Sequence, residues 1–256
     1  MKTIESSDNR IYKTMASLAH KKYRDRTGCY LVEGENLVGE ALKGGLAELV
    51  VLREGYEGPV PKGDAEFLFM KGKLYDKLAL TETSQGILAM ARKPDLSPEA
   101  FGKAVGEGNI LVLDQLQDPG NIGTMLRTAA AAGYKGALIL KGTGDIYGPK
   151  AVRAAAGAIF RLPAAFADTI DEAVDLLKGW NKTIVGTGPR EAVDYYETDL
   201  DRNVALVIGN EGTGMREEFL EKTDFNVVIP MQTGMESLNA AVAAGILMYH
   251  RKDRKV

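Results

Sequence analysis

Residues 110–133 read ILVLDQLQDPGNIGTMLRTAAAAG. The opening ILVLD (110–114) is a continuous apolar run closed by an aspartate, the pattern of a strand buried on both faces of a parallel sheet. A polar loop follows, and its Asp118-Pro119-Gly120-Asn121 stretch has turn chemistry with a helix cap behind it. NIGTMLRTAAAAGY then reads as a helix ended by Gly133. Strand, loop and helix in that order are the repeating element of a βαβ layer.

The same alternation continues downstream. ALIL (137–140), TIVGT (183–187), VALVIG (204–209) and NVVIP (226–230) read as strands. KAVRAAAGAIF (150–160), TIDEAVDLLKGW (169–180) and residues 237–250 read as helices. The expected fold is α/β: a mostly parallel sheet with helices on both faces. Upstream, strand-like runs at 49–52, 66–69 and 87–91 alternate with helical spacing at 9–19 and 36–43, which predicts a second, small α/β domain. Between them, RKPDLSPEAFGKAVGEGN (92–109) is rich in proline, glycine and charge. The expected organisation is a domain over 1–92, a linker over 93–108 and a larger domain over 109–256.

Composition narrows the function classes. The 256 residues carry 32 Lys+Arg against 35 Asp+Glu, a net charge of -3. That excludes a uniformly basic nucleic-acid binder but leaves room for a local basic patch. The single cysteine, Cys29, allows no intrachain disulfide and points to a reducing compartment. With only His20 and His250 beside it, a Cys/His zinc site is not expected, nor is any other metal. The longest apolar run, residues 240–249, is about half of the ~18 residues a membrane helix needs. The polar start MKTIESSDNR does not resemble a signal peptide, so a cytoplasmic protein is expected. The 29 glycines ask for many tight turns or close backbone approaches.

Three loops leave strand ends carrying polar residues and glycines: DQLQDPGNIGTMLRTA (114–129), GNEGTGM (209–215) and PMQTGMESLNAAVAAG (230–245). In open parallel sheets ligands sit beyond the carboxyl ends of strands, and each loop runs into a helix whose first N–H groups are unpaired. Singly, each has a structural explanation. The first is a turn with its cap. Arg127, about 240° round the helix from Asn121, fits a solvated face. Glu211 fits a turn, and Ser237 a helix cap. The chain contains neither GxGxxG nor GxxxxGK[ST], which argues against a dinucleotide or P-loop site.

Taken together, DPGNIGTMLRTAAAAG (118–133), LVIGNEGTGM (206–215) and IPMQTGMESLNAAVAAGI (229–246) resemble the three motifs of the SpoU/TrmH RNA ribose 2′-O-methyltransferases of the SPOUT superfamily. The likeness spans residues 110–251. IESSDNRIYK (4–13) and KKYRDRTGCYLVEGENLVGEAL (21–42) resemble the L30e-like substrate-binding domain that some members carry. The resemblance implies a trefoil knot in the larger domain and S-adenosylmethionine (S-adenosyl-L-methionine) as cofactor. It places that cofactor against Thr187, Gly188, Gly209, Asn210, Gly212, Ile229, Met231 and Leu238. It assigns Arg127, Asn121, Glu211, Ser237 and Asn239 to the catalytic neighbourhood, and it implies a homodimer with an arginine acting across the interface. The apolar, small-residue final helix fits either that interface or an intramolecular core.

RNA contact is expected on positive patches. Lys21, Lys22, Arg24 and Arg26 form the densest cluster, with Tyr23 between charges; a solvated helix end is the structural alternative. Lys150, Arg153 and Arg161 lie in a segment resembling the family's RNA-facing side. The C-terminal RKDRK reads as a solvated tail. The substrate the resemblance favours is ribosomal RNA, 23S in particular, because short members acting on tRNA tend to lack the N-terminal domain. The alternatives are a tRNA methyltransferase and a noncatalytic RNA-binding or ribosome-assembly module. An NAD-dependent enzyme is disfavoured by the missing glycine fingerprint.

Overall fold

The computed structural model describes residues 2–94, 96–234 and 237–250; the RKDRK tail lies outside them. The chain forms two compact units, Met1–Pro94 with Asp145–Phe160, and Asp95–Gly144 with Arg161–Val256.

The first unit runs β1 (Lys2–Ile4), α1 (Arg10–Ser17), α2 (Lys21–Thr27), β2 (Cys29–Glu33), α3 (Glu35–Lys43), β3 (Ala47–Arg53), β4 (Glu66–Met70), α4 (Gly72–Tyr75) and β5 (Ile87–Arg92). Its sheet has the order β1-β4-β3-β5-β2, with β4 parallel to β1 and β3, and β5 antiparallel to β3 and β2. Side chains alternate across β3. Leu49 and Val51 join Tyr12 and Met15 of α1 and Tyr75 of α4 in one core. Val50 and Leu52 are equally buried on the opposite face, where α3 packs. Asn9 caps α1, its Oδ1 accepting from the Ile11 amide at 2.8 Å. Gly28 ends α2 at φ +67, a left-handed conformation that favours glycine.

The second unit begins with α5 (Pro98–Val105), then β6 (Ile110–Leu113), α6 (Pro119–Ala132) and β7 (Gly136–Leu140). The following stretch, with α7 (Pro149–Ala155), packs in the first unit. There the Tyr147 and Phe160 rings lie 4.9 and 6.4 Å from that of Tyr30. The second unit resumes with β8 (Ala164–Ala167), α8 (Ile170–Gly179), β9 (Thr183–Thr187), β10 (Ala192–Asp194), β11 (Val204–Ile208), α9 (Glu217–Leu220), β12 (Phe225–Val228) and α10 (Ala240–Tyr249). Its seven-stranded sheet, β10-β12-β9-β11-β6-β7-β8, is parallel at every pairing. β6 and β11 are buried along their whole length, as their unbroken apolar sequence predicts. Phe101 and Val105 of α5 and Ile170 and Leu177 of α8 cover one face. α6 and α10 pack on each other, and on β6 and β11 respectively.

Three expectations are corrected. Residues 93–108 are more than a linker. They contain α5, capped by Ser97 and anchored by the fully buried Phe101; with so few apolar positions, the helix is masked by its flanking glycines and charges. α6 starts earlier than Asn121: Asp118 is its cap, accepting from the Asn121 amide at 2.8 Å, and Pro119 takes the first turn. The last helix is capped by Asn239, not Ser237, and Asn239 Oδ1 accepts from the amides of Ala241 and Val242 at 2.9 and 3.2 Å.

Candidate active site

The sheet order reverses between β6 and β11: β7 and β8 lie on one side of this pair, β9, β12 and β10 on the other. A crevice outside the carboxyl ends of two such strands is where open α/β sheets bind ligands. The loops leaving these two strands are residues 114–118 and 209–216.

Their sequence explains their shape. Asn210 and Gly214 form an antiparallel bridge, with N···O distances of 3.0 and 2.9 Å. Asn210 Oδ1 accepts from the amides of Gly212 and Thr213 at 2.9 and 3.2 Å, while its Nδ2 donates to the Gln115 carbonyl at 2.8 Å. The turn closes on Gly214 at φ +73. A Cβ on Gly209 would stand 2.2 Å from Met215 N and 2.4 Å from Gly214 C, so only glycine fits. Arg216 follows, and its guanidinium grips the fully buried Asp114 carboxylate at the end of β6.

Beside this turn lies a cavity of about 600 Å³, inside the roughly 300–1,000 Å³ usual for small-molecule sites. All eight residues expected at the cofactor line it: Thr187, Gly188, Gly209, Asn210, Gly212, Ile229, Met231 and Leu238. Ile208, Val227 and Leu247 add apolar wall, and Glu211 and Ser237 also line it. Apolar side chains with closely approaching glycine backbone suit a flat adenine and a thioether-like chain. The residues therefore fit S-adenosylmethionine.

The polar groups at the edge form a connected set. The Glu211 carboxylate accepts from the amides of Gln117 and Asp118, at 3.1 and 3.0 Å, and from Asn121 Nδ2 at 3.3 Å. Asn239 Nδ2 donates to Asn121 Oδ1 at 3.1 Å. Glu211, Asn121 and Asn239 are thus brought together from the three expected loops. Partial burial pushes the Glu211 carboxyl up, but hydrogen bonds from the amides of Asp118, Glu211 itself and Gln117, and from the Asn121 side chain, hold it below its ordinary value. Arg127 is exposed on α6 and does not line the cavity. Among the described residues no group of three or more His, Cys, Asp or Glu is arranged to hold a metal ion.

The expected RNA-contact residues separate into distinct environments. Lys22 and Arg26 are exposed, Arg26 lying 4.7 Å from the Tyr23 ring centroid. Lys21 pairs with Asp25 at 2.8 Å. Lys150 and Arg153 are exposed on α7, within the first unit. Arg24 differs. Its side chain is only 6% exposed, and its guanidinium is engaged by Asp145 at 2.6 Å and by the Leu18 carbonyl. It is an internal tie, held on the inner side of α2 by an aspartate 121 residues away.

Sequence reading missed the Asp114–Arg216 pair. The usable signal was a charged residue directly closing an unbroken apolar strand, since a buried carboxylate demands a partner.

A family model described as the SpoU rRNA methylase family matches residues 108–249, and an MRM3-like substrate-binding domain matches residues 9–89. The chain belongs to the SpoU rRNA methylase family, and with it to the S-adenosylmethionine-dependent RNA methyltransferases. Among its relatives is the 23S rRNA (guanosine(2553)-2′-O)-methyltransferase RlmP of Bacillus subtilis, 36% identical over 98% of this chain and 99% of that protein. The AdoMet-bound rRNA methyltransferase of Sinorhizobium meliloti superposes with a TM-score of 0.82 at 28% identity, covering 97% of this chain and 96% of that one. The AdoMet complex of the SpoU methyltransferase AviRb from Streptomyces viridochromogenes superposes with a TM-score of 0.86 at 26% identity, covering 94% and 96%. No helix of the described residues is long and apolar enough to cross a membrane.

Proposed function

We propose that this protein methylates a ribose 2′-hydroxyl in 23S ribosomal RNA, in the cytoplasm. The observation that carries the reading is the cavity at the carboxyl ends of β9, β11 and β12, lined by every residue expected at the cofactor and edged by the Glu211–Asn121–Asn239 set. The relative RlmP, similar along nearly its whole length, supports rRNA as the substrate class.

S-adenosylmethionine, when bound, supplies an already activated methyl group. The protein's task is then positioning and charge stabilisation. Asn121, held between Glu211 and Asn239, is placed to orient the ribose, with Ser237 at the wall of the cavity. A guanidinium stays protonated in proteins, so Arg127 is not the base. It grips the neighbouring phosphate and stabilises charge developing on the 2′-oxygen.

Arg127 reaches this site from a second copy of the chain in our reading. α10 is apolar on all sides, and such a helix is normally buried all round. Yet Val242 and Tyr249 are 52% and 43% exposed in the single chain. A homodimer burying that side supports the trans assignment, and the trefoil knot implied by the motifs belongs to the same proposal. The basic side chains of Lys21, Lys22, Arg26, Lys150 and Arg153 supply phosphate contacts.

Purified protein incubated with methyl-labelled cofactor and unmodified 23S rRNA is expected to yield a 2′-O-methylated nucleoside after digestion. Label in tRNA alone, or in no RNA, would overturn the proposal.

A further inference from the structure

A second loop supports the edge of the site without lining its cavity. It leaves β7 as Lys141-Gly142-Thr143-Gly144 and is bonded to the 114–118 loop that leaves β6. Gln115, directly after the buried Asp114, sits at φ +59. That left-handed conformation is costly for a residue with a side chain and persists only where its surroundings hold it. The half-buried Thr143 does so. Its Oγ1 accepts from the Gln115 amide at 3.0 Å, and its hydroxyl donates to the Leu113 carbonyl at 3.0 Å, so one side chain spans the kink from both sides. Two more bonds join the same loops. Gln117 Nε2 donates to the Gly142 carbonyl at 2.6 Å, and the Gly144 amide to the Leu116 carbonyl at 2.8 Å. A Cβ on Gly144 would stand 3.2 Å from the Gln117 carbonyl oxygen, so glycine lets the two loops lie this close.

The kink has a consequence just downstream. Gln117 and Asp118 give the two amides that hold the Glu211 carboxylate, at 3.1 and 3.0 Å, and Glu211 in turn accepts from Asn121 Nδ2. Turning Gln115 out of the left-handed region re-aims the chain that follows, and both amides move with it. We propose that Thr143 is a positioning residue of the methyltransferase site: its hydroxyl fixes the Gln115 kink, and thereby the Gln117 and Asp118 amides that set Glu211 and Asn121 for the ribose. The cofactor turn depends on this tie less. Asn210 Nδ2 donates to the Gln115 carbonyl, but the turn is also closed on itself by the Asn210–Gly214 bridge and tied to Asp114 through Arg216. This role rests on the methyltransferase reading, and it comes from a loop outside all three motifs.

The test compares full-length variants with the wild type. Thr143→Val keeps the shape of the side chain and removes its hydroxyl; Thr143→Ser restores the hydroxyl. Gln117→Met removes the neighbouring tie from an exposed side chain, and is the further variant should Thr143→Val fold poorly. Amide exchange read by NMR should quicken about tenfold at Gln115, Gln117 and Asp118 in Thr143→Val, the weight of one hydrogen bond. Exchange at Gly212 and Thr213 should not change. On a 23S rRNA transcript, kcat should fall about tenfold or more, as misplacement away from the chemistry does. Affinity for S-adenosylmethionine and KM for the transcript should stay within about twofold. Thr143→Ser should restore both exchange and kcat, and Gln117→Met should repeat the local pattern more weakly. A loss of kcat that only tracks the folded fraction, with exchange quickened everywhere alike, overturns the proposal. If the wild type transfers no methyl group but Thr143→Val shows the local exchange change and Thr143→Ser reverses it, the enzymatic reading fails and the tie stands. If the wild type methylates 23S rRNA and both Thr143→Val and Gln117→Met match it in exchange and kcat, the tie fails and the enzymatic reading stands.

Discussion

Arg216 Nη2 stands 2.6 Å from Asp114 Oδ1, and the Asp114 side chain is 0% exposed. The pair fastens the glycine-rich turn after β11 to the end of its neighbour β6. Removing one partner of a buried pair leaves a charge in low dielectric, at about 3–5 kcal/mol when fully enclosed. The Arg216 side chain is 32% exposed, so water reaches part of the pair. Arg216→Ala is expected to cost about 1–3 kcal/mol, the penalty for one unsatisfied buried group. Urea unfolding measures it, with cofactor affinity falling in parallel.

Gly209→Ala tests the turn directly. The added methyl would collide with backbone at 2.2 Å, which no side-chain movement relieves. The turn must open, and cofactor affinity should fall at least about tenfold, or 1.4 kcal/mol. Isothermal titration with S-adenosylmethionine reads the change, and wild-type affinity would show that the turn is not part of the cofactor wall.

Glu211 sets an acid limit. Its folded-state pKa lies below the ordinary 4.5 because backbone and Asn121 donors outweigh burial. A group depressed on folding stabilises fully above its unfolded value and loses that contribution as pH falls through the folded value. The wild type is therefore expected to lose stability on acidification below about pH 4.5, the unperturbed value, more steeply than Glu211→Gln. Thermal unfolding between pH 3 and 6, compared for the two proteins, checks the sign.

Arg127→Ala removes an exposed side chain and should shift stability by less than about 0.5 kcal/mol. Cofactor binding should persist while methyl transfer is lost. Mixing Arg127→Ala with Gly209→Ala subunits should restore partial activity if the arginine acts across a dimer. A mixture as inactive as its parents would place it elsewhere.

Arg24 and Lys22 lie two residues apart on α2 and should behave oppositely. Arg24→Ala strands Asp145, itself 14% exposed, and should destabilise by about 3–5 kcal/mol. Lys22→Ala should leave the unfolding midpoint alone and weaken rRNA binding at low salt, with a shallower salt dependence.

Legibility in the sequence followed burial. β6 and β11 were readable because strands covered on both faces are unbroken apolar runs, and α6 because Gly133 ends it. The residues lining the cavity were named because they sit in loops whose motifs resemble those of a known family, not because any one of them is diagnostic. β8 is AAFA, without the β-branched residues that mark strands, and Phe166 is 54% exposed. β10 is only Ala192–Asp194. The Glu211–Asn121–Asn239 contacts join residues 90 and 118 positions apart, a closeness that no local period encodes. The inward turn of Arg24 depends on Asp145, 121 residues away, so the basic cluster looked uniform from sequence.

Because Asp145–Phe160 is lent to the first unit, no single splice in the gene can separate the two parts cleanly. A fragment ending near Pro94 would lack Tyr147 and Phe160, leaving Tyr30 bare and prone to clump with its own kind. Swapping the first unit between relatives, as a protein engineer or a recombination event would, requires exchanging two stretches of DNA together.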